Sequence, residues 1–178
     1  CVCGSDLWPY RGENPFNGPT RTGHELVGVV EQVGSAVSTV RPGDFVIVPF
    51  VYADNTCAVC QLGIQTGCPH GGYWGTPDSD GHFVDGLQGE LVRVPFADGT
   101  LVKTPTMPDD SLIPHLLALA DVFPTGHHAA TCAGVTTGST VVVVGDGAVG
   151  LCAVLAAKRL GADRVIAMSR HPERQELA

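Results

Sequence analysis

Thr140-Val141-Val142-Val143-Val144-Gly145-Asp146-Gly147-Ala148-Val149-Gly150 is the stretch on which the fold turns. A lone Gly-x-Gly-x-x-Gly says little. Here it follows a run of β-branched residues and opens a helix-like segment, the setting in which the pattern carries meaning. The run reads as a buried parallel strand. Gly145 permits the tight turn, Gly147 lets backbone approach a pyrophosphate, and Gly150 lets helix and strand pack closely. Amides at the helix start, at Gly147, Ala148 and Val149, would then face phosphates. Asp146 occupies a variable position and is expected to be a solvent-facing turn residue.

Outward from this turn the pattern continues. Residues 148–160 read as a helix that Gly161 stops, and 164–168 as the next strand. This βαβ order fits the start of a doubly wound sheet. Upstream, 111–123 is helix-like, with Leu112, Leu116, Leu119 and Ala120 at helical spacing and Pro114 in the first turn. Pro124 is expected to end or kink it, and 127–133 to hold a second short helix. Before residue 108 the character is different. Residues 26–33, 45–49 and 91–95 read as strands, Arg41-Pro42-Gly43-Asp44 as a turn and Asp98-Gly99 as a hairpin-type turn. Residues 52–89 are loop-rich. The expectation is a mixed β and α/β protein: an all-β domain over 1–107, then a partial doubly wound domain over 108–178.

Composition limits the partners. The 178 residues are 44% apolar, ample for a packed core, and carry a net charge of −8 with no local basic patch. Nucleic acid and anionic membrane are therefore not expected partners. The longest uncharged apolar run, 147–157, is too short to span a bilayer. No signal peptide is visible, so the cytoplasm is the default location. Both ends look cut: there is no initiator Met, and a dinucleotide fold needs more βα units than follow. The chain reads as a piece of a longer enzyme.

Metal-ligand residue types are placed with order. Cys3-Gly4-Ser5-Asp6 lies near the start, Gly23-His24-Glu25 follows, and Asp121 comes four residues before Thr125. A thiolate, an imidazole and a carboxylate make a zinc site with one position left for water or substrate, the open form of a catalytic site. Of seven cysteines, Cys57, Cys60 and Cys68 cluster in one loop. Without a secretory signal, such clustering favours metal over disulfides.

Gly23-His24-Glu25-x2-Gly28-x5-Gly34-x2-Val37 resembles the zinc signature of the medium-chain dehydrogenases, the zinc-dependent alcohol dehydrogenases. Cys3-Gly4-Ser5-Asp6 resembles that family's first-ligand motif, and Asp121-x3-Thr125-Gly126 its third-ligand segment, which carries Cys or Asp. The similarity runs through essentially all of the chain in the family's order. It implies a GroES-like zinc-binding domain followed by a Rossmann domain. It implies Cys3, His24 and Asp121 as ligands of catalytic zinc, and Glu25 as a carboxylate able to approach the metal. Ser5 would pass on the substrate's hydroxyl proton, and Asp6 would hold the imidazole of His24, the support metal-bound histidines usually have. Thr125 falls to the cofactor side. Zinc lowers the pKa of a coordinated alcohol and, in reverse, polarises a carbonyl. Many members carry His where this chain has Trp8, so a relay beyond Ser5 would use the cofactor ribose or water. Trp8 would line the substrate pocket or pack in the core.

Asp54-x2-Cys57-x2-Cys60-x7-Cys68 is similar to the family's structural zinc lobe, with Asp54 in place of the first cysteine. A carboxylate can complete a tetrahedral site. Three thiolates and a carboxylate exceed the ion's charge, so backbone N–H groups or positive neighbours would have to compensate. The other reading is three free thiols in an empty lobe.

The end of the strand after the turn bears on the cofactor. An NAD site would place Asp or Glu there. This chain has Met168-Ser169-Arg170-His171. Ser169 can donate a hydrogen bond and Arg170 can pair with a 2′-phosphate, and the run is similar to the Gly-Ser-Arg of the family's microbial NADP-dependent secondary alcohol dehydrogenases. The expectation is a zinc enzyme that interconverts an alcohol and an aldehyde or ketone with NADP(H), a homo-oligomer (dimer or tetramer) at full length. The alternatives are a polyol, formaldehyde or threonine dehydrogenase using NAD, and a non-catalytic zinc-binding or redox-sensing module.

Overall fold

Phe45-Val46-Ile47-Val48 is an apolar run with no polar face, and all four residues are buried. In the computed structural model they form the central strand of a three-stranded sheet. The structure describes residues 1–13 and 20–178. It divides into two units, Cys1–Ala120 and Asp121–Ala178.

The first unit opens with a 3-10 turn, Gly4–Asp6, that runs into α1 (Leu7–Tyr10). β1 (Leu26–Val29) pairs antiparallel with β2 (Phe45–Val48), Leu26 opposite Val48 and Val29 opposite Phe45. β3 (Val51–Tyr52) leads to a loop carrying α2 (Ala58–Gln61) and returns to pair with β4 (Gly72–Tyr73). β5 (Thr76–Pro77) and β6 (Phe83–Val84) form a second small hairpin. A one-turn helix, α3 (Ala97–Thr100), precedes β7 (Val102–Lys103), which lines the other edge of β2. α4 (Ile113–Leu117) follows.

The core beneath this sheet is Val40, Val46, Val48, Tyr52, Trp74, Val84 and Leu87. Burying each large side chain contributes on the order of 2 kcal/mol. Tyr52 and Trp74 meet with ring centroids 5.3 Å apart and planes tilted by 60°, an arrangement aromatic quadrupoles favour. The indole Nε1 donates to the Pro49 carbonyl at 2.9 Å. Trp74 therefore enters the core without leaving its polar atom unpaired.

Three expectations fail here. The strand expected over 26–33 stops at Val29, although Val30 N still donates to Asp44 O at 2.9 Å. Residues 91–95 are irregular: Val92 and Val94 pack on the core without a ladder partner, and Phe96 turns the chain with a left-handed φ of 48°. Asp98-Gly99 is no hairpin turn but part of α3. Gly99 lies so close to another segment that a Cβ would come within 2.5 Å of Ala53 O. The Asp98 carboxylate accepts from the backbone and hydroxyls of Ser38 and Thr39 at 2.7–3.0 Å, tying two loops together.

The second unit begins with α5 (Val122–Cys132). The helix expected over 111–123 is thus two helices, and Pro124 sits in the first turn of α5 instead of ending a helix. There its missing N–H costs nothing, because first-turn amides have no intrahelical acceptor. β8 (Thr140–Val144) runs parallel to β9 (Arg164–Met168), Thr140 beside Arg164 and Val144 beside Met168. α6 (Ala148–Arg159) connects them, and Gly161, at φ 97°, follows its end. α7 (Pro172–Leu177) comes last. α5 packs on α6, and Ala130, Val135, Ala156, Ala157 and Ala162 form the core. The strand β8 is not buried on both faces as expected: Val142 and Val144 are 54% and 83% exposed. Val141 packs against the helical layer, and the opposite face is open among the described residues.

Candidate metal centres and dinucleotide turn

The first unit brings Cys3, His24 and Glu25 together, each offering a ligand atom within 4.8 Å of the others. Cys3 caps the 3-10 turn, which sends Asp6 back toward it: Cys3 N donates to Asp6 Oδ2 at 2.8 Å. Asp6 Oδ1 lies 3.2 Å from His24 Nδ1. An ionised carboxylate only accepts, so Nδ1 carries the hydrogen and Nε2 is the nitrogen suited to a metal. Glu25 is 5% exposed. Ser5 and Trp8 lie on the outside of the same segment. Trp8 is 58% exposed, so the core-packing alternative does not hold.

Gln88 belongs to this centre and has no signal in the sequence. Its Nε2 donates to Cys1 O at 3.0 Å and to Asp6 Oδ2 at 3.3 Å, while its Oε1 accepts from Thr22 Oγ1 at 3.0 Å. Gly23, at φ 95°, makes room for it: a Cβ there would meet Gln88 Cγ at 2.5 Å. The glycine before the histidine thus serves both a left-handed backbone and a close approach. Asp121 heads the second unit as the cap of α5, with Thr125 Oγ1 donating to its Oδ1 at 2.7 Å. Thr125 is therefore engaged with Asp121.

A second cluster lies wholly within the first unit. Asp54, Cys57, Cys60 and Cys68 place their donor atoms within 4.8 Å of one another. Cys57 caps α2, its sulfur accepting from Cys60 N at 3.4 Å, and lies 3.9 Å from the Cys68 sulfur. A tetrahedron with Zn–S bonds of about 2.3 Å has edges of about 3.8 Å, so the donor set fits zinc. No disulfide links these thiols. Burial, then the neighbouring thiols, push Cys60 up to about 12. Burial also raises Cys68, but hydrogen bonds around Asp54 and His70 outweigh it and leave that thiol below its ordinary value. Asp54 Oδ1 accepts from Thr56 N at 2.9 Å and Cys57 N at 3.1 Å, the backbone compensation its charge needs. Its Oδ2 meets His70 Nδ1 at 2.5 Å. His70, then these amides, hold the Asp54 carboxyl far below the usual carboxylate range. The histidine two residues beyond Cys68 was a sequence signal that the cysteine spacing overshadowed.

In the second unit, Gly145 takes φ 107° and its N donates to Met168 O at 2.9 Å, so the turn abuts the end of β9. A Cβ on Gly150 would overlap the Gly145 carbonyl. Gly147 has open space around a notional Cβ. Ala148 and Val149 start α6. Asp146 does not face solvent as expected: it is 5% exposed and turns toward Arg174, Oδ1 to Nη1 at 3.9 Å. Ser169 Oγ accepts from His171 N at 3.0 Å, and Arg170 is exposed beside it. Among the described residues, no helix is long and apolar enough to cross a membrane.

Residues 1–106 match the alcohol dehydrogenase GroES-like domain. The chain belongs to this family, the zinc-type medium-chain dehydrogenases. It is 37% identical to the zinc-type alcohol dehydrogenase B of Aspergillus flavus, over 99% of this chain and 41% of that protein. It is 39% identical to a glutathione-independent formaldehyde dehydrogenase of Pseudomonas aeruginosa, over 97% of this chain and 45% of that one. The solved alcohol dehydrogenase TADH from Thermus sp. ATN1 superposes with a TM-score of 0.88 at 35% identity, covering 98% of this chain and 49% of that one. The chain thus spans about half the length of the relatives it matches.

Proposed function

We propose that this chain carries the zinc centre and nucleotide turn of an oxidoreductase that interconverts an alcohol and an aldehyde or ketone with NADP(H). The observation that carries the reading is the grouping of Cys3, His24 and Glu25 with Asp6 on the second nitrogen of His24. Cys3, His24 and Asp121 are the proposed ligands. Asp121 directly follows Ala120, whose carbonyl accepts from Phe50 N at 3.1 Å. Zinc, when bound, supplies a Lewis acid that polarises the substrate oxygen.

The protein residues do the rest. Asp6 fixes the tautomer and orientation of His24. Ser5, on the exposed side of the segment, relays the substrate's hydroxyl proton: its oxygen takes that proton as its own passes on to the cofactor ribose or water during oxidation, and the transfer runs backward during reduction. Glu25 is the nearby buried carboxylate. Gly145, Gly147 and Gly150 shape the turn so that the amides of Gly147, Ala148 and Val149 meet the pyrophosphate. Ser169 and Arg170 recognise the 2′-phosphate, and the position after β9 carries no acid for a ribose diol. Four residues of a second zinc site, Asp54, Cys57, Cys60 and Cys68, hold a loop with little core of its own. Full-length homo-oligomerisation and a cytoplasmic location complete the proposal.

The test is zinc content followed by NADPH oxidation with a panel of aldehydes and ketones. About two zinc ions per chain, falling to about one in His24→Ala with loss of turnover, is the expected outcome. Zinc only at the Cys57 loop with no NADPH binding would favour a non-catalytic module. A second reading, an NAD-dependent formaldehyde dehydrogenase, has in its favour the 39% identity to a glutathione-independent formaldehyde dehydrogenase. NADH outperforming NADPH with formaldehyde would select it.

A further inference from the structure

We propose that His70 is the positioning residue of the Asp54-Cys57-Cys60-Cys68 zinc site, a role that rests on the zinc reading of that loop. The two oxygens of Asp54 face different neighbours. Oδ1 lies 3.5 Å from the Cys68 sulfur and so belongs to the donor cluster. Oδ2 is taken by His70 Nδ1 at 2.5 Å. The Asp54 side chain is 10% exposed and that of His70 57% exposed. The imidazole thus stands at the outer wall of the site, between the carboxylate and water.

This arrangement answers a problem specific to aspartate. A cysteine presents one sulfur and has no second donor atom to misplace. A carboxylate has two equivalent oxygens and rotates about its Cα–Cβ and Cβ–Cγ bonds, so it needs a partner on one oxygen to aim the other. Residues that hold a metal ligand from behind cost about 10–100-fold in metal affinity when removed. Thr56 and Cys57 amides hold Oδ1 from the loop itself. His70 holds Oδ2, and it comes from beyond the last cysteine. It closes the ligand loop from its far end.

The test uses zinc-loaded full chain in a His24→Ala background, so that only the loop's zinc is counted. Zinc release to a chelator is followed for His70→Ala and His70→Asn, each with Asp54 and with Asp54→Cys. With Asp54, His70→Ala should release zinc about 10–100-fold more readily. His70→Asn, whose amide can donate from the same position, should restore retention. With Asp54→Cys, His70→Ala should have no effect, because no carboxylate remains to be aimed. An equal loss in both backgrounds would assign His70 a merely structural role and overturn the proposal. So would unchanged retention in His70→Ala with Asp54. Zinc absent from this loop in the His24→Ala parent would instead overturn the zinc reading itself, and the role of His70 with it.

Discussion

Asp98 shows how a single exposed carboxylate can shape the acid limit of the first unit. The Thr39 amide, the Thr39 hydroxyl and then the Ser38 amide hold it well below its ordinary value of 3.8. Its folded pKa is depressed, so its contribution is fully present above the unfolded value and is lost as pH falls through the folded one. Asp98→Asn should therefore flatten the acid limb of stability below about pH 4 and leave the neutral region's pH slope unchanged. Circular dichroism along an acid titration reads this directly. An unaltered acid limb would remove Asp98 from the account. At this scale the legible residues were those with metal chemistry: Cys3, His24, Cys57, Cys60 and Cys68 announce themselves by type and spacing. Gln88 did not, because a glutamine has no such chemistry and meets Thr22 across 66 positions. Asp146 misled because a variable position in a glycine turn looks exposed, whereas its carboxylate turns inward toward Arg174.

Elements were legible where periodicity was long and bounded. β8, α6 and β9 appear within a residue of where their sequence places them, since a valine run, a helix and a stopping glycine leave few alternatives. Near Asp121 the signal was ambiguous. Leu112, Leu116, Leu119 and Ala120 carry one helical spacing past the end of α4 into the break before α5. The strand expected over 91–95 failed because its apolar residues reach the core from irregular backbone, which a pattern of residue types does not reveal. The contact between α5 and α6 turns on one position. A Cβ on Gly126 would come within 2.6 Å of Ala153 N and 2.8 Å of Cys152 C. Both are helix backbone and cannot step aside as a side chain can. Gly126→Ala should destabilise the second unit by about 1–3 kcal/mol, read as a lower urea midpoint. A midpoint at or above the parent's would mean the two helices separate without penalty.

The whole chain is a family member matched along about half of its relatives' length, and its two units differ in completeness of burial. The first has a mixed aromatic and aliphatic core under a three-stranded sheet. The second has an alanine-rich core on one face of two strands, with Val142 and Val144 bare on the other. The mixed β and α/β class was readable because short apolar runs between turn residues fill the first half, whereas a valine run, a helix and a second strand follow one another in the second. The bare face was not, since a valine run reads the same whether one side is covered or both.

The two candidate zinc sites also differ in how far the chain must travel to make them. Asp54 and Cys68 are 14 positions apart. The Asp6–Gln88 contact that braces the other site spans 82. On a logarithmic loop-closure law, the longer closure costs about 1.5 kcal/mol more before any contact repays it. The metal sites should therefore fill in sequence during refolding, the cysteine loop first and the His24 centre after the ends of the unit have met. Refolding with one zinc equivalent should leave Cys60→Ser slow to capture metal and His24→Ala nearly as fast as the parent. The reverse order would show that the brace at Gln88 forms early. If the cysteine loop fills first, closure distance along the chain, more than ligand chemistry, sets the timetable on which the two candidate sites take up metal.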